Sequence, residues 1–183
     1  MCLDCAVEID DRPVKLDIGI GFGSNMGDRL ANLIKARRLL LDACEDPDKA
    51  IFSSVYETQP VDCADETKLF YNAVGQITFS NTPQSILDLC LHIESLLGRS
   101  NLHEPNAPRT IDLDLLYADK VVTSTPQLTL PHPRLTSRLF VLTPLAEIRP
   151  ELQLPGDNFS VTDHLEALSL NTLKFPIVTR DWQ

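Results

Sequence analysis

Pro108-Arg109-Thr110-Ile111-Asp112-Leu113-Asp114-Leu115-Leu116 sets two carboxylates two residues apart in an otherwise apolar run, with an arginine three positions ahead of the first. Residues two apart on a strand share a face. Asp112 and Asp114 are therefore expected to point one way, and Ile111, Leu113 and Leu115 the other way, into a core. Neighbouring acids repel, and burial sharpens the repulsion. A divalent cation between them relieves it, and hard carboxylate oxygens suit Mg²⁺. The guanidinium of Arg109 suits a phosphate. Metal, carboxylates and arginine together point to nucleotide chemistry; a solvated strand edge is the plain alternative for the acids taken alone.

Working outward from this strand, predicted over 110–117, the chain alternates strands and helices. Lys15 to Phe22 reads as a strand and 23–28 as a turn. Leu30, Leu33, Ile34, Leu40 and Leu41 recur at helical spacing, with Asp28 placed to cap the helix. Ala50 to Thr58 reads as a strand, 61–67 as a polar loop and Phe70 to Phe79 as a third strand. Asn81-Thr82-Pro83 opens a second helix, whose apolar face is Ile86, Leu87, Leu89, Cys90, Ile93, Leu96 and Leu97 and which Gly98 stops. A polar loop spans 99–108. After the acidic strand come an extended pair at Val121-Val122 and Leu128-Leu130, a helix over 138–148 interrupted by Pro144, and a short helix over 161–168. Strand, helix, strand, strand, helix, strand is the split β-α-β order of ferredoxin-like α+β domains. Helices are expected on one face of an antiparallel sheet, with the other face left for ligand or loops and a C-terminal extension added.

A chain of 183 residues fits one domain, placed at 15–183 behind a flexible arm at 1–14. The net charge of -10 argues against a general nucleic-acid binder, though not against a small polyanion held by local arginines. No apolar run approaches the ~20 residues needed to cross a membrane, and the acidic start is unlike a signal peptide. Five cysteines at irregular spacing fit reduced thiols, so a cytoplasmic protein is expected. Cys2-Leu3-Asp4-Cys5 has C-x-x-C spacing but no second pair, and reads as a frayed end. Gly19, Gly21 and Gly23 invite a dinucleotide-binding reading, yet the third glycine of G-x-G-x-x-G would fall on Met26, and Gly27 misses by one. A glycine-rich turn passing close to another element is the plainer reading.

Blocks along the chain then resemble, in order, the 6-hydroxymethyl-7,8-dihydropterin pyrophosphokinase family. They are Gly23-Ser24-Asn25-Met26-Gly27-Asp28, Ser53-Ser54-Val55-Tyr56-Glu57-Thr58, Phe70-Tyr71-Asn72-Ala73, Ile93-Glu94 to Gly98-Arg99, Ala107-Pro108 to Leu116, Leu130-Pro131-His132-Pro133-Arg134 and Arg138-Leu139-Phe140-Val141-Leu142. The resemblance covers residues 18 to 152, and its Pro-Arg-Thr-Ile-Asp-Leu-Asp-Leu-Leu block is highly specific. It implies transfer of the terminal diphosphate of ATP to the hydroxymethyl group of a reduced pterin, giving AMP and a pterin diphosphate on the folate pathway.

By the same resemblance, Asp112 and Asp114 hold two Mg²⁺ ions against the phosphates, and Arg99 and Arg109 contact the phosphates. Glu94, Leu115, His132 and Arg138 join Arg99 and Arg109 around ATP. Asn72 reads the pterin, Thr58 and the backbone near Val61 complete its pocket, and Phe70 and Phe140 stack on the ring. The expected partners are these two small molecules, with no nucleic acid and no membrane, in a monomer or homodimer.

One stretch departs from the family. Residues 100–106 offer only His103, next to Glu104, where many members carry arginines. Leu91 also stands where some members have a polar residue. Weaker ATP binding is therefore expected. This departure sustains a non-catalytic binding paralogue as a second reading. An interaction module with a ferredoxin-like fold is the third.

Overall fold

The computed structural model describes residues 15–60, 68–98, 108–169 and 175–183. The arm expected at 1–14, the loop expected at 61–67 and all but Pro108 of the loop expected at 99–108 lie outside them. Among the described residues, no helix is long and apolar enough to cross a membrane.

β1 (Leu16–Ser24) alternates Ile18, Ile20 and Phe22, all at most 2% exposed, with Gly19, Gly21 and Gly23. It runs two residues further than its sequence suggested, absorbing the start of the expected turn. α1 (Arg29–Asp42) starts where Asp28 accepts a hydrogen bond from the Ala31 N–H at 3.0 Å, as the capping reading requires. The single strand expected over 50–58 is split into β2 (Ile51–Phe52) and β3 (Val55–Thr58). The break is built by two serines. Ser53 Oγ accepts from the Val74 N–H at 2.9 Å, and the Ser54 N–H donates to Glu147 at 2.9 Å.

β4 (Phe70–Phe79) matches its prediction. α2 (Pro83–Leu96) is capped by Thr82 and ends before Gly98, whose φ of +87° a side chain would resist. Leu96, counted with the apolar face, is instead 60% exposed. β5 (Asp112–Ala118) carries the acids. The later extended pair is β6 (Thr123–Ser124) with β7 (Thr129–Leu130). α3 (Leu139–Ile148) continues through Pro144, because burial of this strongly apolar segment outweighs the hydrogen bond that proline removes. α4 (Val161–Ser169) follows. β8 (Ile177–Thr179), which carried no sequence signal, adds an edge to the sheet.

Every pairing in the main sheet is antiparallel, in the order β5-β1-β4-β3-β8, with β2 also on β4. The first four of these strands have the ferredoxin-like arrangement. α1 and α2 cover one face over a core that includes Ile18, Ile20, Phe22, Ile77, Ile93 and Leu113. The opposite face is not left to loops alone. α3 and α4 pack there against Val74, Leu116 and Tyr117. A bulge in the β1–β5 pairing at Gly19/Ile20 turns both Leu116 and Tyr117 toward these helices. Gly19 makes this possible, because a Cβ there would lie 2.1 Å from the Tyr117 ring. The last residues return under the sheet. Trp182 is 3% exposed, donates its indole N–H to the Ser53 carbonyl at 2.8 Å, and meets the Phe22 and Phe52 rings edge-on at 5.5 Å.

Candidate active site

α3 leaves half of the second sheet face open, and the strands decide what appears there. Gly23 pairs with Asn72 on one side and Asp112 on the other; Gly21 pairs with Val74 and Asp114. Period-two alternation therefore places Asn72, Asp112 and Asp114 on one surface with a strip of bare glycine backbone between them. The glycines are a flat strand floor, not a turn. G-x-G-x-G at strand period was the signal that could have shown it.

Over this floor is a cavity of about 250 Å³. Its walls bring together Thr58, Phe70, Asn72, Arg109, Asp112, Asp114, Arg138 and Phe140, eight of the residues singled out in the sequence. Gln59 and Arg134 also line it, and the sequence reading gave neither a role. Arg99 and Val61 lie outside the described residues.

Three further expectations sit off the cavity wall. Leu115 is 4% exposed in the core, because alternation along β5 turns its side chain away from the two acids. Glu94 is 3% exposed, and its Oε1 accepts from the Leu113 N–H at 2.7 Å. It thus holds the peptide between the two acids from behind. His132 is tied into its own turn: its N–H donates to the Leu116 carbonyl at 2.7 Å, and its Nδ1 accepts from the Arg134 N–H at 3.1 Å.

The polar groups are held by short, specific bonds. Asn72 Nδ2 donates to Thr58 Oγ1 at 2.6 Å, which fixes the plane of the amide. Arg109 Nη1 lies 2.8 Å from Asp112 Oδ2, and Arg138 Nη1 lies 3.8 Å from Asp114 Oδ2 and 5.3 Å from the centre of the Phe140 ring (measured from Cζ). The backbone of Arg109 is clamped as well. The Arg109 N–H donates to Asn25 Oδ1 at 2.7 Å, the Asn25 N–H donates back to the Arg109 carbonyl at 3.2 Å, and Ser24 Oγ donates to the Thr110 carbonyl at 2.5 Å. The Gly23-Ser24-Asn25 corner therefore positions the arginine ahead of the acids.

Burial raises the Asp114 carboxyl above its ordinary pKa, and the charge of Asp112 adds to the rise, while His132, Arg138 and Arg109 oppose it. Burial likewise lowers the His132 imidazole. Behind the strand, burial pushes the Cys90 thiol up to about 12, helped by Glu94 and Asp114, so it stays protonated and inert.

Among the described residues, no group of three or more His, Cys, Asp or Glu side chains could enclose a metal. Two carboxylates on one open face are nevertheless a fitting donor set for Mg²⁺, which keeps waters and takes substrate phosphates as its remaining ligands. The repulsion that raises Asp114 is what such an ion removes.

Comparison with known proteins agrees with this geometry. Residues 19–150 match the family model described as 7,8-dihydro-6-hydroxymethylpterin-pyrophosphokinase. The chain is 41% identical over 134 residues to the 2-amino-4-hydroxy-6-hydroxymethyldihydropteridine pyrophosphokinase of Bacillus subtilis, covering 73% of this chain and 78% of that protein. It is 38% identical over 138 residues to the enzyme of the same name from Methylorubrum extorquens, covering 75% and 85%. Among solved structures, a Plasmodium falciparum HPPK-DHPS with STZ-DHP superposes with a TM-score of 0.67 at 16% identity. That match covers 86% of this chain and spans less than half, 46%, of the Plasmodium chain, and it speaks to the fold.

Proposed function

Given that the chain belongs to the 7,8-dihydro-6-hydroxymethylpterin-pyrophosphokinase family, we propose that the cavity over Gly21 and Gly23 is where it transfers diphosphate from ATP to a reduced pterin. The transfer gives AMP and the diphosphate ester of 6-hydroxymethyl-7,8-dihydropterin, a step of folate biosynthesis. One observation carries the assignment of the site: Asp112 and Asp114 share an open sheet face with Asn72, under a cavity walled by Phe70, Phe140 and the arginines.

Asp112 and Asp114 would hold two Mg²⁺ ions, which when bound neutralise phosphate charge and align the β-phosphorus for attack. Arg109 and Arg138, whose guanidinium nitrogens lie 2.8 and 3.8 Å from these carboxylates, would present planar forks to the phosphates. Asn72 reads the pterin edge: one N–H is fixed on Thr58, and its carbonyl oxygen stands over the floor, 3.2 Å from where a Cβ of Gly23 would be. Phe70 and Phe140 give the flat ring apolar contact.

In the reaction the hydroxymethyl oxygen gives up its proton to solvent and forms a bond to the β-phosphorus, and the bond from that phosphorus to the oxygen bridging the α-phosphate breaks, releasing AMP. Holding the two substrates in line and balancing charge supplies most of the rate. Glu94 serves by fixing the Leu113 peptide, and with it the spacing of the two acids. Arg99 belongs to the same phosphate end by family resemblance. Cytoplasmic residence accords with the free thiols of Cys44 and Cys90.

The test is AMP formation from ATP and 6-hydroxymethyl-7,8-dihydropterin with and without Mg²⁺. Turnover that requires both substrates and is abolished by chelation is expected. Nucleotide and pterin binding without AMP release would favour the non-catalytic paralogue instead.

A further inference from the structure

Three arginines line the cavity, Arg109, Arg134 and Arg138. Two of them face acids, Arg109 at 2.8 Å from Asp112 and Arg138 at 3.8 Å from Asp114. Among the described residues, the Arg134 guanidinium has no carboxylate within ion-pairing distance. Its side chain is exposed, yet its root is fixed. The Arg134 N–H donates to His132 Nδ1 at 3.1 Å, and its carbonyl accepts from Ser137 Oγ at 3.2 Å. Leu135, 1% exposed, anchors the single 3₁₀ turn over Leu135–Ser137, and that turn brings Arg138 to the same wall four residues later.

A cation seated at an acid-floored cavity without pairing to the acids suits an anion that arrives with a ligand. The pterin is a neutral ring; the nucleotide brings the negative charge. We propose that Arg134 is a nucleotide-binding residue of this site, contacting the phosphates of ATP. This rests on reading the cavity as the diphosphate-transfer site.

The test titrates Mg²⁺ with α,β-methylene-ATP, which cannot be turned over, into the wild type, Arg134→Ala, Arg134→Lys, Arg134→Glu and the exposed control Lys120→Ala. Loss of a charge-assisted phosphate contact predicts affinity weaker by about ten- to a hundredfold in Arg134→Ala. Arg134→Glu is expected to be weaker still, Arg134→Lys partly restored and Lys120→Ala unchanged. Pterin affinity and unfolding temperature should stay at wild-type values, and in turnover the KM for ATP should rise while kcat holds. Nucleotide affinity of Arg134→Ala within twofold of wild type overturns the proposal. Because the titration needs no turnover, it decides the role of Arg134 separately from the AMP assay that tests the transfer chemistry.

Discussion

Asn72 and Asp112 stand on the same sheet face on either side of Gly23, each paired to it across a strand boundary. Two strand spacings put them about 10 Å apart. The pterin reader and a metal ligand are thus separated by one residue without a side chain, and the reacting atoms must meet above it. Gly23→Ala places a methyl 3.2 Å from Asn72 Oδ1, whereas Gly21→Ala makes only ordinary contacts at 3.6 Å and beyond. Gly23→Ala is expected to raise the pterin KM by roughly tenfold, the effect of about 1.4 kcal/mol of crowding. Steady-state kinetics in both substrates will show this, and an unchanged pterin KM would remove Gly23 from the floor.

Asp112→Ala deletes one of the two proposed metal ligands without touching the core. Turnover should fall by about a thousandfold, equivalent to roughly 4 kcal/mol, with far-UV circular dichroism unaltered. A variant retaining activity within a few-fold of wild type would refute the metal role.

Asp114→Asn tests the cost of the acid pair. The folded-state pKa of Asp114 is raised, chiefly by burial and next by Asp112. The folded chain therefore binds the proton more tightly than the unfolded chain. Its contribution favours folding at low pH and is lost as pH rises from the ordinary carboxylate range through the raised value. At neutral pH without metal, the asparagine variant should unfold at a temperature higher by about 2 °C or more, lose this pH slope and be inactive. Scanning calorimetry in EDTA at several pH values checks it; an unfolding temperature at or below wild type contradicts the account.

Asn25→Ala strips the acceptor from the half-buried Arg109 N–H. A loss of about 1–3 kcal/mol in stability is expected, together with a fall in kcat larger than that of Ile77→Val, a core variant of similar cost. Equal kinetic effects in the two would mean that Asn25 acts on stability alone.

Much of this was readable because the decisive residues follow strand periodicity. The acids at 112 and 114, the apolar residues between them, the Asp28 cap and the limits of β4 all come from spacing and local chemistry. Other features depend on contacts that spacing cannot express. The exposure of Glu94 was undecidable until α2 met the back of β5 and the Leu113 N–H needed an acceptor. Nothing in the spacing around Arg134 marks it as a cavity residue; only the folded turn brings it to that wall. The covering of the second face by α3 and α4 depends on the bulge at Gly19/Ile20, a one-residue shift in register with no mark in composition.

Trp182 is the chain's one tryptophan, lodged against Phe22 in the strand that bears Gly21 and Gly23. The protein therefore carries a built-in optical gauge. Its emission, set by a dry aromatic nest on the side of the sheet away from the ligands, should stay blue and nearly constant as substrates bind, and shift red once the tail peels away. Intrinsic fluorescence will then report the integrity of the scaffold and leave occupancy of the cleft to an extrinsic dye.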